Sequence, residues 1–92
     1  MRIRWTVEAR NDLVRLHRFL VGVNPSAAAR AIQTLRATPA RMLLDSPRIG
    51  FRLSEFDPRE VRRILAGDYK IRYEIRDDTI AIVGLWHTRE DR

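Results

Sequence analysis

No cysteine occurs among the 92 residues, so the chain has no disulfide framework, no thiolate zinc site and no thiol nucleophile. The four glycines, Gly22, Gly50, Gly67 and Gly84, are scattered and build no phosphate-cradling loop. Its two histidines, His17 and His87, stand 70 residues apart and make a poor metal site. Ser26, Ser46 and Ser54 lack any triad context. No apolar run approaches the ~18 residues that a membrane-spanning helix needs. Behind the charges of Met1-Arg2-Ile3-Arg4-Trp5 there is no apolar stretch, so no secretory signal is expected. Together these absences predict a cytoplasmic protein with no cofactor and no structural metal. They also argue against an autonomous metabolic enzyme.

What the chain has in abundance is arginine. Eighteen basic residues against twelve acidic ones give a net charge of +6, and Lys70 is the only lysine. Residues 1–46 carry eight arginines against Glu8, Asp12 and Asp45, a net of +5; residues 47–92 carry ten basic and nine acidic groups, a net of +1. A GC-rich genome also enriches arginine. A basic surface attracts nucleic acid, ribosomes or an acidic protein partner, and charge alone does not choose among them. With 45% hydrophobic and 33% charged residues the composition is globular, and a chain this short makes one domain, residues 1–92.

The pattern of apolar residues gives the order of elements. Ile3 and Trp5 alternate with Arg2 and Arg4, as in a half-buried strand. Thr6 is placed to cap a helix whose stripe is Ala9, Leu13, Leu16 and Leu20, ending near Gly22. Asn24-Pro25 starts a second helix, with Asn as cap and proline in the first turn. Its buried face is Ala28, Ile32 and Leu35, and Pro39 predicts a kink or restart before Met42 and Leu43. Arg15, Arg30 and Arg36 fall off these stripes.

From Phe51 the period becomes two. Phe51 and Leu53 predict a short strand, Asp57-Pro58 a turn, and residues 61–66 a second strand. Gly67-Asp68 makes a tight hairpin turn. Tyr69, Ile71, Tyr73 and Ile75 then alternate with Lys70, Arg72, Glu74 and Arg76, one apolar face and one charged. A last strand begins at Thr79, apolar on both faces, and is expected at the centre of the sheet. The order β-α-α-β-β-β predicts an α+β domain: an N-terminal strand and an antiparallel helical hairpin packed on one face of a mainly antiparallel sheet. The opposite face, with Lys70, Arg72 and Arg76, is the expected working surface.

Several segments together resemble a known family. They are Asn24-Pro25 with Ala27-Ala28, the loop from Pro47 to Gly50, the strand pair from Val61 to Tyr73, and the ending Val83…His87…Arg89. Nearly the whole chain is similar to the RelE/ParE superfamily, the small toxins of type II toxin–antitoxin modules. The resemblance implies a toxin neutralised by a cognate antitoxin, with operator DNA contacted only through that antitoxin. RelE-like members cut mRNA in the ribosome, whereas ParE-like members poison DNA gyrase. The ending His87-Thr88-Arg89-Glu90-Asp91 looks like the ParE branch, so gyrase is the favoured target and ribosome-bound mRNA the alternative.

Metal-free RNA cleavage needs a group to activate the 2′-OH, cations for the phosphorane and an acid for the leaving oxygen. The candidates are Arg62 or Arg63, Arg72, His87 and Arg89. Resemblance to the RelE branch implies arginines at two strand positions that here hold Leu65 and Trp86, and no tyrosine follows Tyr73. The departures at Leu65 and Trp86 weaken the nuclease reading. Arg62 and Arg63 alternate, so only one can join a site on a given sheet face. His87 is alternatively a strand-end histidine bonded to a backbone carbonyl, and Arg89 a local ion-pair partner of Glu90 or Asp91. For antitoxin or target binding the candidates are Arg15, Arg30, Arg36, Lys70, Arg72 and Trp86. A third reading is an inert nucleic-acid-binding module or decayed toxin.

Overall fold

A computed structural model of the chain describes residues 1–90. The first strand, Arg2–Trp5 (β1), ends at Thr6, whose side chain accepts from Ala9 N and caps the helix Val7–Val21 (α1). The same hydroxyl donates to Ile82 O at 2.8 Å, so the cap also ties the helix start to the sheet. Gly22 closes α1, and Asn24 caps the helix Pro25–Leu43 (α2) by accepting from Ala27 N. The remaining strands are Phe51–Arg52 (β2), Glu60–Ala66 (β3), Tyr69–Arg76 (β4) and Thr79–His87 (β5), with a 3₁₀ turn at Ser54–Phe56 between β2 and β3.

The sheet runs in the order β1-β5-β4-β3-β2. β1 lies parallel to β5, and all other pairs are antiparallel. The helical hairpin covers one face. Ala9, Leu13 and Leu16 of α1 and Leu35 and Leu43 of α2 meet Ile64, Ile71, Tyr73, Ile75, Ile80, Ile82 and Leu85 in one core, with Ile3 and Trp5 packed against it. Burial on that face is what fixes the register, since a slip of one residue would expose the whole apolar set.

Three expectations need correction. The second helix does not restart: α2 is one helix through Pro39. Thr38 and Pro39 are both buried, and Thr38 Oγ1 turns back to donate to Thr34 O at 2.7 Å, so packing outweighs the local cost of the proline. β5 is interior but not central, because β1 adds to its far edge and leaves β4 in the middle. The strand expected at Phe51 and Leu53 is only two residues long; Leu53 leaves it to start the 3₁₀ turn, while its N–H still bonds to Val61 O at 2.9 Å.

One irregularity decides which side chains share a face. In the β4–β5 pairing Arg72 faces Gly84 but Tyr73 faces Ile82, so Val83 is an extra residue, a β-bulge. Before the bulge Ile80 and Ile82 point to the helices. After it the parity is reversed, and Leu85 and His87 take the helix side while Gly84 and Trp86 turn to the open side.

Candidate functional site

Residues directly opposite across neighbouring strands share a face, so the register maps the open side of the sheet. Leu65, Lys70 and Trp86 form one cross-strand row, and Arg63, Arg72 and Gly84 the next. Further along, Val61 and Glu74 pair beside Ala81 and Arg4, and the last row is Arg76, Thr79 and Arg2. Leu65 and Trp86 thus flank Lys70 in a single row.

Arg72 is the centre of this face. Its guanidinium lies 4.7 Å from the Trp86 ring centroid and 5.1 Å from that of Phe56 in the 3₁₀ turn. A cation held between two rings keeps its charge while its flat faces are shielded from water. Next to it Arg63 lies 5.4 Å from the ring centroid of Phe51, which is 67% exposed. Glu74 is engaged by Arg59 through two hydrogen bonds of 3.1 and 2.7 Å. Those bonds hold the Glu74 carboxyl below its ordinary range, against the opposing effect of partial burial.

Arg62 points the other way and is committed to the loop. It donates to Glu60 at 2.9 Å and to the carbonyls of Arg48 and Gly50 at 3.2 and 2.8 Å. Burial opposes the charge on Glu60, but hydrogen bonds from Arg48 and Arg62 outweigh it and lower the carboxyl's pKa. The Tyr73 hydroxyl completes this latch, donating to Pro47 O at 2.7 Å and accepting from Gly50 N at 3.0 Å. Gly50 has no room for a side chain: a Cβ there would sit 2.5 Å from the Tyr73 oxygen and 2.9 Å from Arg63 O. The loop residues from Pro47 to Gly50 that carry the family resemblance therefore have a structural job.

Arg15 is likewise occupied. The bulge at Val83 interrupts the ladder, and the buried Asp12 carboxylate accepts from Leu85 N at 3.0 Å while Arg15 donates to Leu85 O at 3.1 Å. Asp12 and Arg15 also face each other at 3.6 Å. Arg15 further pairs closely with Glu90, whose other oxygen accepts from His87 N at 2.7 Å. Glu90 is thus the partner of Arg15 and not, as expected, of Arg89; Asp91, the other expected partner, lies outside the described residues.

Among the described residues the His87 ring bonds no backbone carbonyl; its Nδ1 accepts from Arg89 N at 3.1 Å, which leaves the proton on Nε2 in the neutral ring. The ring meets Tyr69 edge-on with centroids 5.3 Å apart, and burial, then Asp68 and Glu90, pushes the Tyr69 phenol up. Both rings line a groove of about 470 Å³ with Leu16, Phe19 and Leu20 of α1, rimmed by Arg15, Arg89 and Glu90. Phe19 is 69% exposed at its mouth.

The candidate nuclease residues are therefore not brought together. Arg63 and Arg72 face each other on the open side, whereas Arg62 serves the loop beneath the helices and His87 and Arg89 border the groove. Of the candidate binding residues, Lys70, Arg72 and Trp86 are neighbours on the open side, and Arg30 and Arg36 are exposed on α2. Among the described residues, no three of His, Asp and Glu gather into a metal-binding group, and no helix is long and apolar enough to cross a membrane. Two participants escaped the sequence reading. Asp12 had a signal, for it is three residues after Ala9 and four before Leu16, on the buried stripe itself. The Val83 bulge had none.

A β-α-α-β-β-β-β domain with a helical hairpin on one face of a mainly antiparallel five-stranded sheet is consistent with the RelE/ParE-type toxin fold. A family model described as the ParE toxin of the type II toxin–antitoxin system parDE matches residues 3–92. The chain belongs to this ParE toxin family. Among solved structures it is similar to a chain of the chromosomal ParDE toxin–antitoxin system from P. aeruginosa, with TM-score 0.74 and 18% identity over 95% of each chain. At that identity the likeness speaks for the fold. A comparison with curated protein sequences finds no significant match.

Proposed function

We propose that this toxin acts in the cytoplasm by docking on DNA gyrase, without chemistry of its own, and that a cognate antitoxin neutralises it. The observation that carries the reading is the composition of the open face. It presents Arg63, Lys70 and Arg72, with Trp86 buried under Arg72; among the described residues its rows hold neither histidine nor tyrosine, and their one carboxylate, Glu74, is bound to Arg59. Such a face can grip a charged partner, but with Glu74 tied to Arg59 it offers, among the described residues, Lys70 alone for proton transfer, where cleavage needs one group to deprotonate the 2′-OH and another to protonate the leaving oxygen. Arginine is among the residue types that anchor protein interfaces.

The antitoxin's seat is the groove beside α1. Its apolar lining and the exposed Phe19 call for apolar anchors, and Arg89 on its rim and the chain's net charge of +6 call for an acidic segment. Operator DNA is reached through the antitoxin.

The test is a supercoiling assay with purified gyrase. The toxin is expected to inhibit it, the antitoxin to restore it, and Arg63→Glu with Lys70→Glu to weaken inhibition at least tenfold, while His87→Ala leaves it nearly intact. Unimpaired supercoiling, with cleavage of ribosome-bound mRNA that His87→Ala or Arg62→Ala abolishes, would replace this reading with the nuclease one.

A further inference from the structure

The far end of the open face holds a second feature, distinct from the Arg63–Arg72 region. Arg2 on β1 and Arg76 on β4 flank Thr79 of β5 in one row, and Arg4 stands beside Ala81 in the next. These residues line a polar hollow of about 330 Å³ together with Glu74, Asp77 and Asp78. All three arginines are exposed, and none is in an ion pair among the described residues. Two of the three carboxylates already have cationic partners: Glu74 has Arg59, and Asp78 faces the N-terminal ammonium at 3.8 Å. With Asp77 as the third carboxylate, the three guanidiniums outnumber the carboxylates not already partnered by two.

We propose that this hollow is a contact site for the sugar–phosphate backbone of duplex DNA, with Arg2, Arg4 and Arg76 each meeting a phosphate and Thr79 adding a hydroxyl. Arginine is the side chain best matched to phosphate geometry, and backbone contacts of this kind carry no sequence preference. The spacing suits a duplex. Arg2 and Arg4 lie about 7 Å apart along β1, and Arg2 and Arg76 about 10 Å apart across two strand spacings. Flexible side chains rooted at those separations can straddle a minor groove about 6 Å wide. No aromatic residue lines the hollow, so it offers no platform for the stacked bases by which single strands are held.

The inference deepens the gyrase reading and rests on it only for its setting. A toxin docked through Arg63, Lys70 and Arg72 would turn the other end of the same face toward DNA that the target holds. Binding to DNA itself is a property of the isolated toxin.

The experiment measures anisotropy of a labelled 20-base-pair duplex with purified toxin from 50 to 200 mM salt. Three phosphate contacts predict a log–log salt slope steeper by about 2.7, or roughly 40-fold in affinity over that range, than in the variant that lacks them. Arg2→Gln with Arg4→Gln and Arg76→Gln is that variant; the three Arg→Lys changes should retain most of the slope. Arg10→Gln with Arg30→Gln and Arg36→Gln removes the same charge from the helices and should cost far less. Equal losses in the two Gln triples, no duplex binding by the native toxin at 50 mM salt, or tighter binding to a single-stranded RNA of equal length would each overturn the proposal. Supercoiling inhibition on the same proteins separates the claims: inhibition without duplex binding sinks only this one, and duplex binding without inhibition sinks only the gyrase reading.

Discussion

The Tyr73 hydroxyl donates to Pro47 O and accepts from Gly50 N, so one buried side chain ties the loop before β2 to the middle strand of the sheet. Tyr73→Phe keeps the ring and strands both partners, for which a loss of about 1–3 kcal/mol is expected in urea denaturation. The same substitution should alter the alkaline limb. Burial raises the Tyr73 phenol above its ordinary 10.0, so above that pH the folded chain keeps a proton that the unfolded chain releases, and stability falls as pH climbs. Tyr73→Phe should flatten that fall between pH 10 and the folded-state pKa; the Tyr69 phenol, also raised, leaves a residual slope. An unchanged midpoint and an unchanged alkaline slope would remove Tyr73 from the latch. Period-two alternation put Tyr73 on the apolar face of β4, as it is. Where its hydroxyl goes was not legible, because the accepting carbonyl lies 26 residues away in a loop without periodicity.

β5 is the element that arranges the two sides of the molecule. The Val83 bulge sends Trp86 to the open side and His87 to the groove, and α1 supports it by clamping both polar groups of Leu85 with Asp12 and Arg15. Asp12→Ala removes the carboxylate that accepts from Leu85 N and is expected to cost about 1–3 kcal/mol. Faster hydrogen exchange at the Leu85 amide should accompany it, whereas Asp12→Asn, which still offers an acceptor, should retain most of the protection. Equal exchange in the wild type and the Ala variant would show that the clamp does not hold the bulge. Both helices and their caps were readable, since Thr6 and Asn24-Pro25 are local signals. The bulge was not, because β5 is apolar on both faces and a shift of parity leaves no trace in such a run.

At the scale of the whole molecule, the fold gathers basic residues from both halves of the chain onto the open face. The linear count gave the first 46 residues most of the excess, yet Arg2 and Arg4 from that half join Lys70, Arg72 and Arg76 from the other on the open side. Parallel pairing of β1 with β5 does this, and no local pattern foretells which edge an N-terminal strand will take. The basic face was legible in part, from the alternation in β4; the separation of His87 from Arg72 became visible only with the fold. That separation keeps the candidate nuclease residues from forming one site, which is what the proposed docking role rests on.

The most direct measurement expresses the toxin from a tightly repressed promoter and follows DNA and protein synthesis separately by pulse labelling. Docking on gyrase predicts that DNA synthesis stops first, with filamentation and DNA breaks, and that His87→Ala changes little. Translation stopping first, with mRNAs cut within codons, would contradict it.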